Sequence, residues 1–158
     1  MASRHWNVLG WIAVAVLAGV GAAAFLGWRS ITVEEAAPDE AWSRYAEIRG
    51  RLAWSEPILR LNKSGVASRR SPPADLALAP PTRLRALAYR AAEQRLVRAD
   101  VPFWLLKVKG PAVQYSLRGT GVDLERLGVT PADLQRYGAS VVLDESRENG
   151  DRLLVWTE

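Results

Sequence analysis

Residues 83–101, RLRALAYRAAEQRLVRADV, decide what kind of fold this chain adopts. Leu84, Leu87, Ala88 and Ala91 recur at helical spacing, and the segment is rich in helix formers. Leu87, Tyr89 and Ala91, then Val97, Ala99 and Val101, alternate instead around a polar Glu93-Gln94 centre, as a hairpin does. The local pattern does not choose between helix and hairpin.

Downstream the punctuation is plainer. Pro102 opens a short apolar segment, PFWLLKVK, which Gly110-Pro111 stops. Asp123 to Leu127 reads as a helical turn closed by Gly128. Thr130-Pro131-Ala132-Asp133 sets a capping hydroxyl, a proline at the first helical position and an acid at the third, predicting a helix that closes at Gly138. Ser140–Leu143 and Leu153–Trp156 follow as two apolar strands joined by DESRENGD, with Asn149-Gly150 as the tight corner.

Upstream, SGVASRRSPPADLALAPPT (residues 64–82) holds two Pro-Pro pairs among small residues and reads as a linker of polyproline character. Before it, Ala41, Tyr45, Ile48 and Leu52 trace one face of an amphipathic helix with Asp39 as N-cap, flanked by Trp42 and Trp54. Ser30 to Pro38 is an acidic spacer, and Pro57 to Leu61 a short extended segment.

Residues 6–28, WNVLGWIAVAVLAGVGAAAFLGW, carry no formal charge. As a helix they would span about 33 Å, against a hydrocarbon core of about 30 Å. Trp6 and Trp28 stand at both ends, where indoles favour the headgroup boundary. A transmembrane helix is expected. A cleaved signal peptide is the rival, with Ala22-Ala23-Ala24 as its site, but the apolar run continues past that site to Trp28. Ala15, Gly19, Ala23 and Gly27 recur every four residues, a small-residue face suited to close helix packing in lipid.

The expected architecture is therefore α+β: one N-terminal transmembrane helix followed by a small α+β domain with a C-terminal β-hairpin. Its parts are a short tail (1–5), the membrane helix (6–28), a spacer and amphipathic helix (29–63), the linker (64–82) and the domain (83–158).

Composition removes many chemistries. The 158 residues include no cysteine, so disulfides, thiol nucleophiles and thiolate metal sites are excluded. The one histidine, His5, lies at the edge of the apolar run, which leaves no imidazole for a Ser-His-Asp triad or a metal site further on. No catalytic residue, cofactor or metal is expected, and the chain is read as non-enzymatic. The net charge is +4, but residues 44–109 hold 14 Lys/Arg against 5 Asp/Glu, and residues 110–158 hold 5 against 8.

Phe103, Trp104, Leu105 and Leu106 beside Lys107 and Lys109 form a candidate partner or lipid contact, with burial as a helix end in the core the plainer reading. Asp144, Glu145, Glu148 and Asp151 read as a solvated hairpin tip rather than a cation site. Asp123 and Glu125 suit a helix start, and Arg118-Gly119-Thr120-Gly121 a turn.

Arg4 and the α-amino group bias the N-terminus toward the cytoplasm, against Arg29 alone on the other flank. The expected protein is single-pass in a plasma or inner membrane. Its C-terminal domain is extracytoplasmic and binds or scaffolds another envelope component. A protein partner, or self-association through the membrane helix, is expected and nucleic acid is disfavoured. The alternative is a cytoplasm-facing basic domain that holds anionic lipid or nucleic acid through Arg69, Arg70, Arg83, Arg85, Arg90, Arg95 and Arg98.

Overall fold

The computed structural model of the chain describes residues 31–61, 67–72, 78–107, 120, 123 and 127–158. The strand-forming register of residues 83–101 organises them. β4 (Arg83–Arg90) and β5 (Arg95–Pro102) pair antiparallel along their whole length, from Arg83 opposite Pro102 to Arg90 opposite Arg95. A 3₁₀ turn over Ala91–Glu93 and a left-handed Gln94 (φ 48°) reverse the chain at the polar centre. The hairpin wins over the helix because both strands gain a second neighbour elsewhere in the chain.

Those neighbours build a seven-stranded mixed sheet. β1 (Ile31–Glu35) pairs with β5, and β7 (Arg152–Thr157) with β4, both antiparallel. β6 (Ser140–Ser146) pairs antiparallel with β7 across the Arg147–Gly150 turn, where Gly150 takes φ +87°. β2 (Leu59–Leu61) lies parallel to β6, and β3 (Ala67–Arg69) closes the far side antiparallel to β2. The order across the sheet is β1-β5-β4-β7-β6-β2-β3.

The expected fold class is corrected by this arrangement. The chain is not a small α+β domain whose strands are those of a C-terminal hairpin; one mixed seven-stranded sheet with few helices takes strands from both sides of residues 64–82. The spacer supplies β1 and the Pro-rich stretch supplies β3, because backbone pairing with β5 and β2 outweighs weak local signals. Among the described residues no helix is long and apolar enough to cross a membrane. The apolar stretch 6–28, with Trp6, Ala15, Gly19, Ala23, Gly27 and Trp28, lies outside the described residues, as does the tail before it.

Both faces of the sheet are covered, which explains why its central strands are apolar on both sides. On one face lies α1 (Pro38–Arg51), whose Ala41 and Tyr45 are buried against Leu87, Leu96, Leu154 and Trp156. The helix starts two residues earlier than the Asp39 N-cap reading, with Ala37 as N-cap, because Pro38 has the fixed φ suited to the first position. Asp39 and Glu40 then fall in the first turn and Arg49 and Arg51 in the last, each facing the favourable end of the helix dipole.

The opposite face packs α2 (Phe103–Lys107) and α3 (Pro131–Tyr137) against Leu84, Ala86, Ala99, Val101, Leu143 and Val155. In α3 the capping box is complete: Asp133 N–H donates to Thr130 Oγ1 at 3.1 Å, and Thr130 N–H donates to Asp133 Oδ2 at 3.0 Å.

One irregularity redirects the chemistry. β6 carries a bulge between Val141 and Leu143, so Val142 and Leu143 both pack on the α2–α3 face. Beyond the bulge the alternation is shifted by one, and Asp144 turns toward α1.

Candidate interaction surface

The two edges of the sheet are unlike. β3 is three residues long, and its Arg69 is engaged by the Gly128 carbonyl and by Asp133 at 3.4 Å. A short, tied edge is a poor template for further strands. β1 is five residues long, pairs only with β5 among the described residues, and contains neither lysine nor proline. Val33 at its centre is 53% exposed. Ile31, Val33 and Glu35 line one side of this strand, Thr32 and Glu34 the other.

β1 is held rigidly where it joins the domain. Arg44 of α1 donates to Glu34 at 2.6 Å and to Glu40 at 2.6 Å, clamping the strand to the helix. The Ala36 N–H donates to the Gln94 carbonyl at 2.9 Å just beyond the strand. The open edge is thus presented by a fixed scaffold.

Deeper on the same face, α1 is bolted to the sheet. The Tyr45 hydroxyl and the Arg49 guanidinium both donate to Asp144, the latter at 2.9 Å. Burial, then the bond to Asp144, pushes the Tyr45 phenol well above its usual range. The Arg152 guanidinium stacks 3.2 Å above the centroid of Trp42, with Tyr45 at 5.2 Å. Asp144 is therefore no part of a solvated hairpin tip; the bulge takes it under α1. Among the described residues no cluster of His, Asp and Glu could hold a metal ion.

The candidate contact at residues 103–109 is largely interior, in line with its plainer reading as a helix end in the core. Phe103, Leu105 and Leu106 are buried, while Trp104 is 55% exposed and Lys107 lies outside, 5.9 Å from the Phe103 ring. A single turn of helix cannot show four consecutive side chains to one partner. Lys109, Glu125 and Arg118 lie outside the described residues, and Asp123 is exposed.

The arginines of the basic middle do not form one patch. Strand alternation sends Arg83, Arg85 and Arg98 to the α1 face and Arg90 and Arg95 to the other. Most are neutralised: Arg83 and Arg85 reach Asp100 at 2.6 and 3.3 Å, Arg85 reaches Glu158 at 2.9 Å, and Arg95 reaches Glu93 at 3.2 Å. A groove of about 290 Å³ between α1 and the sheet contains Arg44, Arg51, Arg85 and Arg98, but Glu47 and Asp100 line it too.

A second hollow, about 380 Å³, opens at the end of the sheet between Trp54, Leu78, Tyr137 and Arg70. The Tyr137 hydroxyl donates to the Arg70 carbonyl, and the buried Ser55 Oγ accepts from Val141 N–H at 2.9 Å. These bonds fix its walls.

No protein-family model, curated protein or solved structure shows significant similarity to this chain. Function is therefore read from geometry and chemistry alone.

Proposed function

We propose that this chain is a membrane-anchored, non-catalytic adaptor whose sheet domain binds another envelope protein by accepting an added strand on β1. The observation that carries this reading is the five-residue open edge with Val33 exposed at its centre. Strand addition draws affinity from backbone hydrogen bonds and specificity from alternate side chains. The chemistry of β1 describes the incoming segment: apolar side chains over Ile31 and Val33, and a lysine or arginine beside Glu35. The uncharged run at 6–28 supports anchoring in a plasma or inner membrane, and Arg4 supports a cytoplasmic N-terminus with the domain outside. Dispersal and pairing of the arginines weigh against a nucleic-acid surface.

The test places a photocrosslinking amino acid at Val33, at Glu35 and, as control, at Asn149 in cells. Strand addition predicts adducts at 33 and 35 whose partner residues lie two apart in one extended segment, with none at 149. Adducts scattered over a partner surface, joined to a second copy of this chain, or missing at 33 and 35 would overturn it.

A further inference from the structure

The register fixes which end of the sheet faces the start of the chain. Ile31 lies in one transverse row with Ala99, Ala86, Val155, Leu143 and Leu59. Beyond that row, toward the end where residue 31 enters, come Pro102 and α2, the Leu78–Thr82 segment, Glu158, Gly138 and the Trp54–Ser55 turn. Three hydrogen bonds tie this rim together: Phe103 N–H to the Thr82 carbonyl at 2.8 Å, Thr82 N–H to the Glu158 carbonyl at 2.6 Å, and Ile58 N–H to the Val141 carbonyl at 2.9 Å.

The exposed large apolar residues are concentrated there. Of the five among the described residues, Trp54, Leu78 and Trp104 belong to this rim, at 69%, 37% and 55% exposure. Of the other two, Trp42 is 48% exposed with the Arg152 guanidinium stacked on one face, and Val33 lies on the open edge. The opposite end, at the Ala91–Gln94 and Arg147–Gly150 turns, exposes Glu93, Gln94, Arg95, Arg147, Glu148 and Asn149. The domain is thus polar at one end and aromatic at the other.

The aromatic end is also the end joined to the apolar run. Only Arg29 and Ser30 separate Trp28 from Ile31, so this end of β1 lies within about 11 Å of Trp28 even at full extension. Indoles favour the headgroup boundary, and Arg70 and Lys107, exposed and without an ion pair among the described residues, suit anionic headgroups.

We infer that the rim formed by Trp54, Leu78 and Trp104 rests on the bilayer surface, so the sheet stands upright on the membrane with its polar turns outermost. This inference rests on the anchoring half of the function proposed above and adds a second, peripheral contact. It fixes the direction of the β1 edge, which then runs away from the membrane as a rail for the incoming strand.

The test uses the full-length protein in vesicles of phosphatidylcholine mixed with phosphatidylglycerol. The chain has no cysteine, so a single polarity-sensitive fluorophore can be attached after Ala53→Cys, Ala79→Cys or Asn149→Cys. A quencher fixed near the lipid glycerol should cause a large loss of fluorescence at 53 and 79 and none at 149. Trp54→Ser with Trp104→Ser should abolish the loss at 53 while the protein still floats with the vesicles.

Flotation without lipid quenching at 53 and 79 would overturn the inference and leave the anchor intact. Protection of 53 from an aqueous quencher, without access for the lipid quencher, would likewise overturn it in favour of a protein contact. Failure to float would overturn the anchored reading itself.

Discussion

The Arg49 guanidinium of α1 donates to the Asp144 carboxylate of β6 across 2.9 Å, at a position that only the β6 bulge makes possible. Tyr45 donates to the other oxygen of the same carboxylate. Asp144→Ala leaves both donors half-buried without their acceptor and should destabilise the domain by roughly 1–3 kcal/mol. Arg49→Ala in a double-mutant cycle with it should show a coupling of about 1 kcal/mol, reduced by salt because both groups keep some solvent contact. Urea unfolding measures each. A cycle without coupling would mean that the Arg49–Asp144 bond contributes nothing to holding α1 on the sheet.

Tyr45 should also set a limit to stability at alkaline pH. The Tyr45 phenol is raised above its unfolded value by burial and by Asp144. A raised folded pKa contributes stability that is complete below the ordinary tyrosine range and is lost as pH rises through the folded value. Stability should therefore decline above the ordinary tyrosine range, and Tyr45→Phe should flatten that decline. Unfolding midpoints across alkaline pH, read for both proteins, decide it.

Sequence patterns exposed some of this fold and hid the rest for identifiable reasons. The Thr130–Asp133 box and the Asn149-Gly150 corner are local, so their residues announce them. Residues 83–101 carried both helical and strand signals, and only pairing with β1 and β7, more than fifty residues apart from each other, resolves them. β1 was hidden inside an acidic spacer because Ile31 and Val33 are its only apolar residues, and its strand conformation comes from β5. Asp144 looked like a solvated tip because a bulge leaves no mark in the alternation of Val141, Val142 and Leu143. The exposed face of Trp104 was within reach, but its neighbours were not separable from it until the short helix sorted them by direction.

Thr130 and Asp133 make an independent test at acid pH. Bonds from the Thr130 N–H and hydroxyl hold the Asp133 carboxyl below its usual range. A depressed folded pKa contributes stability present above the unfolded value and lost as pH falls through the folded one. Thr130→Ala should cost about 1 kcal/mol near neutral pH and reduce the acid sensitivity that Asp133 confers. Thermal unfolding of both proteins over the acid range measures the two effects together.

Gly138 closes α3 at φ +62°, and a Cβ there would stand 2.9 Å from the Leu78 Cβ and 3.3 Å from the Ala79 carbonyl oxygen. Backbone strain and crowding act in the same direction, so Gly138→Ala should destabilise by more than about 1 kcal/mol. It should also shift Leu78 and so disturb the hollow beside Trp54. Leu78→Gly in the Gly138→Ala background should recover part of the loss, because it removes the opposing Leu78 Cβ and Cδ1 but neither the Ala79 carbonyl nor the strain. Full recovery would show that crowding against Leu78 was the whole effect, and no recovery that the positive-φ backbone and the Ala79 carbonyl carry it.

Val33 separates binding from folding. Its side chain is 53% exposed and packs in neither core cluster, so Val33→Lys should leave the unfolding free energy within about 0.5 kcal/mol. A lysine at the centre of an open edge is a device that discourages strand addition, and here it would also face the basic side chain expected beside Glu35. Crosslinking through a probe at Glu35 should therefore fall sharply in the Val33→Lys protein, while Val33→Ile, which keeps the apolar β-branched surface, should preserve it. Equal crosslinking in the two variants would show that the partner does not read this edge. Loss in both would point to an occupant that fits the valine more closely than an added strand needs to.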